Sequence, residues 1–220
     1  MAKNKKKKND LLGYFMYILV IIVVFALIMI GVVFLLKDEK KENKVKPQVT
    51  TENVHKNKVS IEEYGINCDD NDTELYKKEY EVLKKNLTSD TINEEEYAKS
   101  VAKLFIIDLY TIKNKSNKYD VGGTDFVLPD ILANYRLNVE DTIYKYVEDN
   151  SDGKRIQNLP VVSAVNITKT TKGKYKIEEK TYESYTFAMN WTYINDYEYD
   201  KSGTVVVIKN DKKMYVVEKK

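Results

Sequence analysis

The sequence predicts an α+β domain carried on one N-terminal transmembrane helix. Two patterns predict it. Residues 11–36, LLGYFMYILVIIVVFALIMIGVVFLL, contain no charge at all. Beyond residue 71 the apolar residues follow a helical period of about 3.6, and from Leu159 they alternate as strands do.

At about 1.5 Å per residue the uncharged run would reach about 39 Å as a helix, more than the roughly 30 Å of a bilayer's hydrocarbon core. Inside lipid a single segment satisfies its own backbone only as a helix. Residues 1–10 hold Lys3, Lys5, Lys6, Lys7 and Lys8 against Asp10 alone. Basic residues favour the cytoplasmic side, so the expected topology is N-terminus cytoplasmic and C-terminal domain outside. Lys37, Lys40 and Lys41 follow the run and compete with that tail, because Asp38, Glu39 and Glu42 count little in this rule. The inverted orientation is therefore the rival. No small-x-small site ends the run, so it reads as an uncleaved signal anchor. Gly13 and Gly31 are too far apart to make a close-packing helix dimer motif.

The chain has 220 residues and a formal charge of +2. One span leaves room for one ordinary domain. Most of the positive excess lies in the N-terminal tail, and no basic stripe marks a nucleic-acid interface. The basic residues are almost all lysine, Arg136 and Arg155 being the exceptions, and Asn, Ile and Tyr are abundant. That composition goes with an AT-rich bacterial genome. A single cysteine, Cys68, excludes an intrachain disulfide and a cysteine zinc site. A single histidine, His55, removes most metal and acid–base templates. The sequence contains no cofactor motif.

Residues 37–71 are polar and poor in large apolar side chains, which is the composition of a linker. His55 and Cys68 fall in it, as solvated residues. Residues 72–220 form the expected domain. Residues 72–87 space Leu75, Tyr76, Tyr80, Leu83 and Leu87 as a helix, capped by Asp72 or Thr73. Residues 92–112 are the strongest helix. Asp90 or Thr91 caps it, Glu94, Glu95 and Glu96 suit its N-terminal dipole, and a wide apolar face awaits a sheet. Gly122-Gly123 lacks the spacing of a phosphate loop or a dinucleotide site and reads as a turn. Residues 129–149 read as one or two short helices.

Val161, Val165 and Ile167 begin the first strand, and residues 170–173, Thr-Thr-Lys-Gly, read as a turn. Tyr175 to Tyr193 share one parity, either as one long strand or as two meeting near residues 179–184. Residues 205–208 and 214–217 complete an antiparallel meander, joined by a turn at residues 210–212. One face should pack on the helices and the other should face water.

Helices first and a strand meander after them give helices on one face of a curved antiparallel sheet. The helix at residues 92–112, the helical stretch at 129–147 and the meander at 159–217 resemble the nuclear-transport-factor-like (cystatin-like) fold. A short tail, one span, a linker and one such domain also resemble the bitopic scaffold subunit of type IV secretion and conjugation systems. The resemblance is one of element order, and it implies an envelope protein that binds other membrane or envelope proteins. That fold carries isomerases, dehydratases and binding modules alike, so it does not by itself deliver function.

Enzymes of that fold place acids, His or Tyr in the cavity between helices and sheet. Asp108, inside FIIDLY, is the most unusual acid here and the one such an enzyme would use as general base. The competing reading is a polar helix edge or a buried acid bonded to a tyrosine hydroxyl. Tyr185, Phe187 and Trp191 are candidates to line a ligand pocket, against plain core packing. With no histidine in the domain and no second acid placed beside Asp108, an enzyme is not expected, and no residue is assigned as catalytic, cofactor-binding or metal-binding. The expected function is a non-enzymatic interaction module anchored to the lipid bilayer through residues 11–36, and homo-oligomerisation is compatible with it. The alternative is a sensor for a small molecule or cell-wall fragment.

Overall fold

A computed structural model describes residues 59–61 and 63–220. The expected basic tail, the expected span at residues 11–36 and most of the expected linker lie outside these residues. Among the described residues no helix is long and apolar enough to cross a membrane.

The described end of the linker region is not a solvated tether. Strands β1 (Val59–Ile61) and β2 (Ile66–Cys68) form an antiparallel hairpin, with Val59 opposite Cys68. Gly65 turns it with φ +72°, a conformation that suits glycine. Ile66 and Cys68 are buried, against the expectation of a solvated cysteine. Three-residue strands are too short to leave an alternation in the sequence, which is why composition alone reads the segment as linker.

Helix α1 (Glu74–Leu87) starts at Thr73, whose hydroxyl accepts the amide of Tyr76 at 3.2 Å. Tyr76, Tyr80, Leu83 and Leu87 form its buried stripe, as their spacing predicts. Helix α2 (Glu94–Tyr110) begins later than expected. Its cap is Asn93, which accepts the amide of Glu96 at 3.1 Å, rather than Asp90 or Thr91. Asn86 holds that corner from both sides: its carboxamide donates to the Asn93 carbonyl at 2.9 Å and accepts the Asn93 amide at 3.0 Å.

Helix α2 packs on α1 and on every strand of the main sheet. Val101, Leu104, Phe105, Ile106 and Leu109 are fully enclosed. Burying each such side chain contributes about 1.5–3 kcal/mol. The propensity cost of a β-branched or aromatic residue in a helix is under about 0.7 kcal/mol. Burial therefore decides the conformation of this segment. After a 3-10 turn at Pro129–Ile131, helix α3 (Leu132–Asp141) is short and mostly exposed, with Val139 buried.

The main sheet contains β3 (Val162–Ile177), β4 (Lys180–Tyr193), β5 (Ser202–Asn210) and β6 (Lys213–Lys219). Its spatial order is β3-β4-β5-β6 and every neighbour is antiparallel, the expected meander. The expected turn at residues 170–173 does not form. Strand β3 runs through it, pairing Thr170 with Phe187 and Gly173 with Ser184. The chain reverses instead at Glu178 and Glu179, inside the long same-parity run, with Glu178 at φ 51°. A ladder this long outweighs the local turn preference of Thr-Thr-Lys-Gly.

The sheet is curled. The β3–β4 ladder extends to Ile177 and Lys180, whereas β5 stops pairing with β4 at Ser184. Tyr175 near the hairpin end donates to Glu218 of β6 at 3.3 Å. These strands lie at opposite edges, about 14 Å apart in a flat sheet, so the bond requires the sheet to roll. Bulges in β3 and between β5 and β6 add local twist. One consequence departs from expectation. Val206, Ile208 and Ser184 lie on the face away from the helices, yet all three are buried.

Candidate functional site

Three places combine chemistry-bearing side chains. The first surrounds Asp108 on α2. Its carboxylate is ion-paired with Lys115 and accepts the Gly123 amide at 2.6 Å. The two side chains keep only 20% and 11% of their exposure. Gly123, at φ +78°, turns the loop so that this amide points at the carboxylate. Tyr144 donates to the Leu109 carbonyl at 2.8 Å and accepts the Gly122 amide at 3.3 Å. Tyr135 donates to the Gly122 carbonyl at 2.7 Å.

Burial pushes the phenols of Tyr135 and Tyr144 well up, and the negative charge of Asp108 adds to it. Both stay protonated and act as donors. Among the described residues no buried side-chain polar atom lacks a partner. Asp108 is thus a half-buried acid, and its partners are a lysine and a backbone amide rather than the tyrosine hydroxyl considered from the sequence. Lys115 sits in a segment that reads as a polar loop, and nothing in its spacing marks it. The Gly122-Gly123 pair does carry a signal, because two adjacent glycines are where a loop can approach another backbone closely.

The second place holds the candidate pocket rings. Tyr185, Phe187 and Trp191 project from the same face of β4 and each is 2% exposed or less. Tyr185 and Phe187 stack with ring centroids 6.2 Å apart. Trp191 lies 5.0 Å from the Tyr110 ring and donates to the Tyr193 hydroxyl at 2.8 Å. That hydroxyl donates to the Asp200 carbonyl at 2.5 Å. Tyr110 donates to the Asp200 carboxylate at 2.9 Å, and Lys219 reaches the same oxygen at 2.7 Å. Lys219 also sits 5.1 Å from the Tyr110 ring centroid, within cation–π range. Its hydrogen bond holds the Asp200 carboxyl below the usual range. These rings are core, and the structure does not bring them together with Asp108 as one pocket.

The third place is a cleft of about 440 Å³ between α2, α3 and β6. Phe105, Leu109, Val127, Val139 and Val216 form its apolar floor, and Asn134, Asn138, Glu218 and Lys219 stand at its rim. None of the candidate ring residues lines it. Sequence reasoning missed it because α3 and β6 meet only through the fold. Among the described residues no group of three or more His, Cys, Asp or Glu side chains is placed to hold a metal ion.

No protein-family model, no curated protein and no solved structure matches this chain.

Proposed function

We propose that the chain is a membrane-anchored, non-enzymatic interaction module of a bacterial envelope complex. In this reading residues 11–36 span the bilayer, the basic tail is cytoplasmic, and the α+β domain holds partner proteins outside, with secretion or conjugation machinery as the concrete setting. A nuclear-transport-factor-like arrangement is part of the same reading, supported by the order of three helices and a β3-β4-β5-β6 meander.

The observation that carries it is the filled space between α2 and β4, the open cleft lying to one side against α3 and β6. An enzyme or a ligand sensor of this architecture needs room there. Here Phe105, Tyr185, Phe187, Met189 and Trp191 occupy it. Asp108, the acid best placed by sequence to act as a base, has both oxygens engaged by Lys115 and Gly123. The sensor alternative draws no support from rings packed in this way.

The experiment is proximity crosslinking of the tagged protein in intact cells, with identification of what is captured. Several envelope proteins of one machine captured together would uphold the reading. Specific capture of none would overturn it.

A further inference from the structure

We propose that the cleft between α3 and β6 is a docking groove for an extended, uncharged peptide segment of a partner protein, which enters as a strand alongside β6. This rests on the interaction-module reading and names the surface and the partner chemistry.

Strand β6 is the last in the sheet order, so one of its edges has no strand beside it. Among the described residues the domain covers that edge at two points, the first being the Tyr97 hydroxyl, which accepts the Met214 amide at 3.3 Å. At the second, Val127 makes a single parallel bridge with Val216, and the Leu128 amide donates to the Val216 carbonyl at 3.1 Å. Pro129 follows. It has no amide hydrogen and starts a 3-10 turn, so this cover cannot continue along β6.

Further along, Lys220 and Thr204 exchange both backbone hydrogen bonds, at 2.9 and 2.7 Å. In an antiparallel ladder the neighbouring residue then turns its backbone the other way. The N–H and C=O of Lys219 therefore face out from the sheet, on the side of the cleft. An unpaired strand edge of this kind is a template for another strand.

The opposite wall offers matching chemistry. Asn134 and Asn138 stand one helical turn apart on α3, both exposed and both lining the cleft. Among the described residues neither carboxamide has a hydrogen-bond partner. A carboxamide presents a donor and an acceptor together, the complement of a peptide unit. A strand lying in the groove would meet β6 along one edge and these carboxamides along the other.

The apolar lining and the charges fix the occupant's side chains. The half-buried Ile131, Tyr135 and Ile143 of the cleft receive apolar side chains, and in a strand these recur at every second position. The two charged residues of the β6 rim are already neutralised within the domain. Glu218 is ion-paired with Lys220, and Lys219 with Asp200. The groove thus presents no free charge to a charged ligand, and an uncharged segment is its complement.

The test uses the full chain in lipid nanodiscs and a phage-displayed library of random nine-residue peptides as the probe. Enriched peptides should alternate apolar residues. Their synthetic forms should bind at least tenfold more weakly to the Asn134→Ala/Asn138→Ala protein, with Trp191 emission unchanged. N-methylation at alternate peptide positions should weaken binding at least tenfold, and methylation at the positions between should not. Binding should also slow hydrogen exchange at the Lys219 amide. Lack of any enriched sequence would overturn the groove, and so would binding indifferent to both the methylation pattern and the asparagines. If that happened while envelope partners still crosslinked in cells, the groove alone would be lost and the module reading would stand.

Discussion

Gly122 rests directly against the carbonyl of Asp108: a methyl group at position 122 would stand 2.2 Å from that oxygen. The obstacle is backbone, which cannot move aside as a side-chain tip can. The Gly122→Ala protein should lose about 3 kcal/mol of stability, the upper part of the range for overpacking. Trp191 is the chain's single tryptophan and is buried in the domain, so its emission in a urea titration reports this unfolding. A midpoint within error of the parent would show that the loop does not need this approach.

Asp108 and Lys115 should behave as a structural pair. Asp108→Ala leaves a nearly enclosed ammonium and the Gly123 amide without their acceptor. Loss of one partner of a fully buried pair costs about 3–5 kcal/mol, and this half-buried pair should lose less, about 2 kcal/mol. Asp108→Asn keeps an acceptor and should cost less. Urea midpoints of both variants, with Lys115→Met completing a double-mutant cycle, check this. Additive effects of Asp108→Ala and Lys115→Met would disprove the coupling.

Acid stability should depend on Lys219. The Asp200 carboxyl is held below its ordinary value, chiefly by the hydrogen bond from Lys219. A lowered folded-state pKa contributes stability above the unfolded value of about 3.9, and that contribution fades as pH falls through the folded value. Lys219→Met should therefore be less stable than the parent at pH 7, by a small amount because Asp200 is more than half exposed. The gap should close below about pH 4. Thermal unfolding followed at Trp191 from pH 7 to pH 2 would show a constant gap if the pairing were irrelevant.

Cys68 should be a slow thiol. It is 9% exposed, and burial raises its pKa to about 11. Compared with an ordinary thiol, its thiolate fraction at pH 7.5 falls by about 300-fold. Maleimide should label Cys68 far more slowly than a Ser89→Cys thiol introduced into the Cys68→Ala chain, Ser89 being exposed. Labelling at equal rates would contradict the burial. The same fact decides how membrane orientation should be probed, since the native thiol would label slowly on either side.

The helices and the meander were legible because each carries a period imposed by one dominant buried face. Tyr76, Tyr80, Leu83 and Leu87 are buried as their spacing predicts, and so are Tyr185, Phe187, Met189 and Trp191. What escaped depends on contacts between distant parts of the chain. Residues 170–173 have turn chemistry, yet the pairing partner at residues 184–187 draws them into a strand. Val206 and Ile208 alternate correctly with Val205 and Val207, but alternation cannot reveal that a rolled sheet buries both faces. Asp108 stood out as an acid in an apolar run, whereas Lys115 did not, because a lysine in a polar loop looks like any other. The α3–β6 cleft has no sequence signature, since its two walls lie some eighty residues apart.

The helices precede the strands that cover them, and this orders events during synthesis. The apolar face of α2 is complete by Tyr110, but the sheet it lies on is finished only with β6, at Lys213–Lys219. Until then α2 has α1 beside it but lacks the complete sheet, and chain emergence at about 5–20 residues per second leaves its sheet-facing side incompletely covered for roughly 5–20 s. A domain threaded across a membrane behind a retained N-terminal anchor would therefore arrive on the far side unfolded and close its core there, late.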